Sequence, residues 1–191
     1  GSILQNFGFR GSFFVIPGAS CWSDRVADTY QPLYQSGHEI GNHTMSHLHL
    51  RTLDSDGLVY EIETAAEAIA NDIGTYPVSF VHPYNAQSTL VNDVVFRFHE
   101  FSRIAVHDDG SRRYIKNIGS DTTRAEMDRA VRTSVENGYW LIVAGHGIDH
   151  GWSPITEAFL RDVLTGISEV EKPIWVAPLQ EVGLYARVAN E

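Results

Sequence analysis

A single cysteine, Cys21, stands among 191 residues, so no disulfide closes within the chain. Long apolar runs are missing too. None approaches the roughly 18–20 residues that cross a bilayer, which argues against a membrane span. Basic residues are scarce, with 14 Lys and Arg against 24 Asp and Glu, a formal net charge of −10. A surface of that sign repels phosphate, which argues against nucleic acid and anionic membranes as main partners. A neutral or cationic ligand fits better. The opening "GSILQNFGFR" lacks the charged-then-apolar pattern of a signal peptide. No repeat, low-complexity tract or linker interrupts the chain, which predicts one domain over residues 1–191. A chain of this length buries about 70% of the surface its unfolded form exposes.

What is present alternates between two periods. "GSFFVIP" (11–17), "VSFVHP" (78–83), "SRIAVH" (102–107), "YWLIVAGH" (139–146) and "PIWVAP" (173–178) are strand-like, rich in Val, Ile and aromatics, and mostly bounded by Gly or Pro. Between them, residues 55–74 carry Leu58, Ile62, Ala65, Ala66 and Ile69 at helical spacing and stop at Gly74. Residues 122–138 open with a capping box, Thr123 and Glu126, and end at Gly138. Residues 153–167 open on Ser153 and Pro154, the pair expected at a helix start. Strand and helix in alternation predict an α/β fold with a mostly parallel sheet.

In such folds functional groups gather at the C-terminal ends of strands. The histidines fall there: His82, His107 and His146 each close a strand-like run. Four of the nine histidines, His38, His43, His47 and His49, crowd into "GHEIGNHTMSHLHL" (37–50). His43 and His47 are four residues apart, a spacing that on one helical turn puts both rings on one face, as in paired-histidine metal motifs.

The segments "GSFFVIPG", "SGHEIGNHTMSH", "FVHPY" and "WLIVAGHGI", in that order, resemble the polysaccharide deacetylases, the NodB-homology group of carbohydrate esterase family four. The resemblance extends through "GWSPI" and "IWVAPLQEV", and so over nearly the whole chain. It implies a distorted (β/α) barrel and metal-dependent removal of acetyl groups from an acetylated oligo- or polysaccharide, in an extracellular or periplasmic setting. The implied ion is Zn²⁺ or another divalent transition metal. The family's His-Ser/Thr-x-x-His motif maps onto His43, Thr44 and His47, which makes His43 and His47 the expected ligands and Thr44 a brace of their loop. His38 and His49 match no ligand position and are expected to be structural or surface residues. The family's late histidine maps onto His146, a general acid for the leaving group. Pro83 and Tyr84 match the middle of the family's Arg-Pro-aromatic-Gly motif, whose Arg is not there and whose Gly is replaced by Asn85, and Tyr84 is the expected oxyanion-hole position. Trp152 is placed to stack on a sugar ring, with His82 a weaker candidate to line the groove.

Two departures follow from the same comparison. The family's Thr-Phe-Asp-Asp motif, source of a general base and a third ligand, has no counterpart in the ten residues ahead of "GSFFV". The expected barrel is therefore incomplete at its first strand, with open backbone groups along that edge. "IAVHDDG" (104–110) offers Asp108 and Asp109, read as a polar turn, with service as ligand or base the alternative. Three functions stay open: a carbohydrate deacetylase, a non-catalytic carbohydrate-binding remnant, and a hydrolase of non-sugar C–N bonds on the same fold.

Overall fold

The computed structural model describes residues 1–104, 112–171 and 174–189. They divide into two compact units, the first drawing on residues 10–104 and 177–185 with Gly1, the second on 2–9, 112–171, 174–176 and 186–189.

Helix α1 (Ser2–Asn6) precedes the first strand. Strands β1 (Ser12–Val15), β2 (Glu39–Asn42), β3 (Ser79–Phe80) and β4 (Phe101–Ser102) form one sheet of the first unit, ordered as in the chain and parallel throughout. Parallel pairing requires a crossover at every step, and helices supply it. Helices α2 (Trp22–Arg25) and α3 (Gln31–Gln35) link β1 to β2, with a π turn, Val26–Tyr30, between them. Helices α4 (Ser55–Val59) and α5 (Ala65–Ile73), joined by a second π turn at Tyr60–Thr64, link β2 to β3. Helix α6 (Thr89–Phe98) links β3 to β4. Strands added in chain order without reversal follow the barrel pattern and lack the switch point of a doubly wound sheet. Their C-terminal ends share one rim.

The apolar residues of 55–74 behave as their spacing predicts. Leu58, Ile62, Ala65, Ala66 and Ile69 are wholly buried. Leu58 and Ile62 join Phe80, Val91, Val94 and Val95 in one core cluster, while Ile69 joins Val15, Trp22 and Ile40 in another. Gly74 takes the left-handed cap conformation at φ 88°. The π turn was not expected. Within it Glu61 is turned inward, at 2% exposure.

In the second unit, β5 (Arg113–Asn117) and β6 (Trp140–Ala144) pair in parallel around α7 (Arg124–Asn137). The expected capping box, Thr123 with Glu126, is formed, and Gly138 caps the other end at φ 65°. Helix α8 (Glu157–Ser168) starts later than the Ser-Pro signal suggested. Thr156, whose side chain accepts from the Phe159 N–H, is its cap, and Ser153 sits in a turn at φ 44°. Ile118, Met127, Ile155 and Val163 form this unit's core.

Beyond the strand-like 173–178 region, whose described part is not a strand, runs α9 (Leu179–Ala189). Among the described residues no helix is long and apolar enough to cross a membrane. His107, Asp108 and Asp109 lie outside the described residues.

Candidate functional site

Strand β2 ends at Asn42, and the paired histidines follow in a loop. The helical turn predicted from their spacing is absent: Thr44 and His47 both adopt left-handed backbone, at φ 72° and 59°. That conformation costs non-glycine residues about 1–2 kcal/mol each. Hydrogen bonds from neighbouring elements hold it in place. Asn42 Oδ1 accepts from the Thr44 N–H at 2.8 Å, and Thr44 Oγ1 accepts from the His47 N–H at 2.9 Å. Asn42 Nδ2 donates to the Ile62 carbonyl at 2.8 Å and to His99 Nε2 at 3.1 Å. On the other side Glu61 accepts from both the N–H and the hydroxyl of Ser46, and its carbonyl accepts from the Met45 N–H at 2.9 Å. The Gly18 N–H donates to the Met45 carbonyl at 2.8 Å. Thr44 thus braces the loop, as its place in the motif suggested.

The loop brings the two imidazoles together. Their ring centroids are 4.8 Å apart with planes at 77°. His43 Nδ1 lies 2.7 Å from the Val81 carbonyl oxygen. A carbonyl only accepts, so that nitrogen carries the proton and Nε2 carries the lone pair, the tautomer suited to binding a metal through Nε2. Two half-buried imidazoles are donors that Zn²⁺ and its divalent neighbours favour. Among the described residues no group of three or more His, Cys, Asp or Glu converges to complete the set. The residues present therefore fit such an ion as a pair of ligands.

Pro83 and Tyr84 stand on the same rim, after β3. They form a short 3₁₀ turn, Pro83–Asn85, in which Pro83 is buried while Tyr84 and Asn85 both have left-handed backbone, φ 55° and 53°. Tyr84 is 66% exposed, and its ring meets that of His47 edge-on with centroids 4.9 Å apart. Positive φ at a bulky residue is a strained conformation of the kind that clusters at functional sites.

His82 does not line a groove. It is 1% exposed, flanked by Asn92 Oδ1 and Ser102 Oγ at 3.2 Å each, and packs edge-on against Phe80. Burial pushes its pKa down to about 4, so the ring is neutral and serves the interior. His99, buried likewise, is also lowered to about 4, chiefly by desolvation, which agrees with its acceptor role toward Asn42. His38 is a structural residue, buried against the edge of Phe13 with Nδ1 accepting from the Gly11 N–H at 3.1 Å. His49 is exposed, but its ring stacks on Tyr84.

In the second unit His146 follows β6 and is exposed, its ring 4.5 Å from that of Trp152 and nearly perpendicular to it. Trp152 is 74% exposed, in a turn where Asp149, Gly151 and Ser153 all have positive φ. Sequence reasoning passed over Asn42, Glu61 and His99. Asn42 stands beside the histidine string with nothing in its type to mark a bracing role, Glu61 falls in a helical stretch and His99 just past a helix end, and their partners up to 57 residues away reveal the task.

Residues 2–98 match the family described as polysaccharide deacetylase, half of this chain, and the chain belongs to that family. It is 34% identical over 93 residues to a chitin deacetylase of Arthroderma benhamiae, an alignment covering 47% of this chain and 24% of that protein. The match thus spans about a quarter of that relative's length. Among solved structures, the carbohydrate esterase domain of a multidomain xylanase from the hindgut metagenome of Trinervitermes trinervoides superposes with a TM-score of 0.69 at 18% identity, covering 96% of this chain and 81% of that one. A mutant of a pseudoenzyme of carbohydrate esterase family four superposes with a TM-score of 0.65 at 17% identity, covering 95% and 60%. The fold is the α/β type of these deacetylases, its parallel strands consistent with an incomplete (β/α) barrel.

Proposed function

We propose that the chain is a metal-dependent hydrolase that removes N- or O-linked acetyl groups from a carbohydrate, with residues 1–191 acting as one deacetylase domain. One observation carries the reading: the His43 and His47 rings stand 4.8 Å apart, with the His43 tautomer set by the Val81 carbonyl. In this reading His43 and His47 hold Zn²⁺ or another divalent transition metal. When bound, such an ion polarises the acyl oxygen and acidifies water. The remaining work belongs to the chain. Asn42, Thr44 and Glu61 hold the two ligands in place before substrate arrives, which removes their reorganisation from the barrier. The Tyr84 N–H donates to the oxyanion as the carbonyl becomes tetrahedral, a contribution of roughly 3–4 kcal/mol. His146 protonates the departing sugar oxygen or nitrogen, and Trp152 presents its ring to the sugar. The substrate is an acetylated oligo- or polysaccharide. The chitin deacetylase likeness supports that substrate class, and the net charge of −10 suits an uncharged chain.

Elemental analysis of the purified chain tests the metal, and acetate release from acetylated xylan or chito-oligosaccharides tests the activity. Zinc retained at unchanged stoichiometry in His43→Ala would count against the ligand assignment. Acetate release undiminished in His146→Ala would remove that residue from the reaction.

A second reading is a non-catalytic carbohydrate-binding protein. The lack of a third candidate ligand among the described residues and the likeness to a pseudoenzyme favour it. Glycan binding with no acetate released at any zinc concentration decides for it.

A further inference from the structure

His99 stands just past the end of α6, buried, with its ring centroid 5.2 Å from that of Phe80 and 6.5 Å from that of Tyr76. A polar ring in such surroundings loses its water and keeps only the partners that the fold supplies. His99 Nδ1 lies 3.3 Å from the Val95 carbonyl oxygen, which only accepts, so Nδ1 carries the proton and Nε2 the lone pair. Nε2 in turn accepts from Asn42 Nδ2 at 3.1 Å. Among the described residues Asn42 is the ring's one hydrogen-bond partner outside that last helical turn. From there the bonds run in one direction. Asn42 Nδ2 gives its other hydrogen to the Ile62 carbonyl, Asn42 Oδ1 accepts from the Thr44 N–H, and Thr44 Oγ1 accepts from the His47 N–H. An unbroken chain, with every proton and lone pair assigned, thus joins the end of α6 to the left-handed backbone of His47. Hydrogen bonds aligned in this way reinforce one another in a buried setting.

We propose that His99 is a positioning residue for the His43 and His47 pair, acting on their loop through the Asn42 amide. The inference rests on the metal reading of that pair. Without the imidazole acceptor one amide hydrogen of Asn42 is left buried and unpaired, and the loop loses its tie to α6. A ligand loop freed in this way must be ordered again when the ion binds, which weakens the ion's hold.

The test is zinc affinity, read by competition with a chromophoric chelator, together with amide hydrogen exchange of the metal-free chain over residues 43–47. His99→Leu removes the acceptor and should weaken zinc binding about tenfold while speeding exchange at Thr44 and His47. His99→Asn keeps a donor for the Val95 carbonyl but cannot reach Asn42; it should show the same loss, and it serves if His99→Leu does not fold. His99→Gln, whose amide oxygen takes the place of Nε2, should restore both readouts. His38→Leu is the control for a merely structural role. His38 is buried as deeply in the same unit, but its Nδ1 serves the Gly11 N–H ahead of β1, so this variant should lose stability and keep its zinc affinity. The proposal is overturned if His99→Asn binds zinc as the wild type does, if His99→Gln recovers nothing, or if His38→Leu loses as much affinity. Failure of the deacetylase reading is scored separately: wild type that holds zinc and releases no acetate leaves this series intact, whereas wild type that holds no zinc overturns both.

Discussion

Replacing Asn42 by alanine strikes the loop that presents both histidines without touching either one. The side chain makes three buried hydrogen bonds: to the Thr44 N–H, the Ile62 carbonyl and His99 Nε2. Thr44 and Ile62 are fully buried and His99 is 4% exposed, so bulk water does not replace the lost partner. Leaving one buried polar group unsatisfied costs about 1–3 kcal/mol. Three such groups at the low end of that range, since one water in the space vacated satisfies part of the demand, come to about 3–5 kcal/mol. That is a large share of the roughly 5–15 kcal/mol expected of a whole domain. Urea denaturation reads it as a lower midpoint at unchanged slope. Asn42→Asp keeps the acceptor for Thr44 and loses both donors, so it should also destabilise, with a buried charge added. A loss below about 1 kcal/mol in Asn42→Ala would refute the reasoning, because the loop would then be held without the Asn42 hydrogen bonds.

Gly18→Ala acts on the same loop from the other side, since a Cβ there would sit 2.3 Å from the Met45 carbonyl oxygen, a backbone atom that cannot rotate away. It should cost about 1–3 kcal/mol and lower zinc affinity about 10–100-fold, checked by competition with a chelator. Glu39 is buried at the base of β2, where the Ser12 hydroxyl and the Gln180 N–H donate to it, and burial pushes its carboxyl above the ordinary range. A folded-state pKa above the unfolded value means that the folded chain holds this proton more tightly. The associated stability is therefore complete below the unfolded value of about 4.3 and is lost as pH rises through the higher folded value. Glu39→Gln should flatten that fall, measured as denaturation midpoints across mildly acid to neutral pH; a difference from wild type that stays constant with pH contradicts it. Thr123→Ala removes a formed capping box and should cost about 1 kcal/mol, with no change in zinc content.

Short-range rules alone determined much of this protein. The helical spacing of Leu58, Ile62, Ala65, Ala66 and Ile69, the glycine stops at Gly74 and Gly138, and the Thr123 capping box are all found as expected, because each depends on groups within a few residues of one another. The string around His43 and His47 pointed to the family for a similar reason, being a compact pattern that reads without knowledge of the fold. Tertiary structure decided the rest. It made residues 43–47 a loop, with Glu61 held to Ser46 from 15 residues away and Asn42, beside the loop, held by Ile62 and His99 from 20 and 57 residues away. It sent His82 into the interior and brought His49 onto Tyr84. A histidine's chemistry is set by what surrounds its ring, and those surroundings come from strands and helices far apart in the chain.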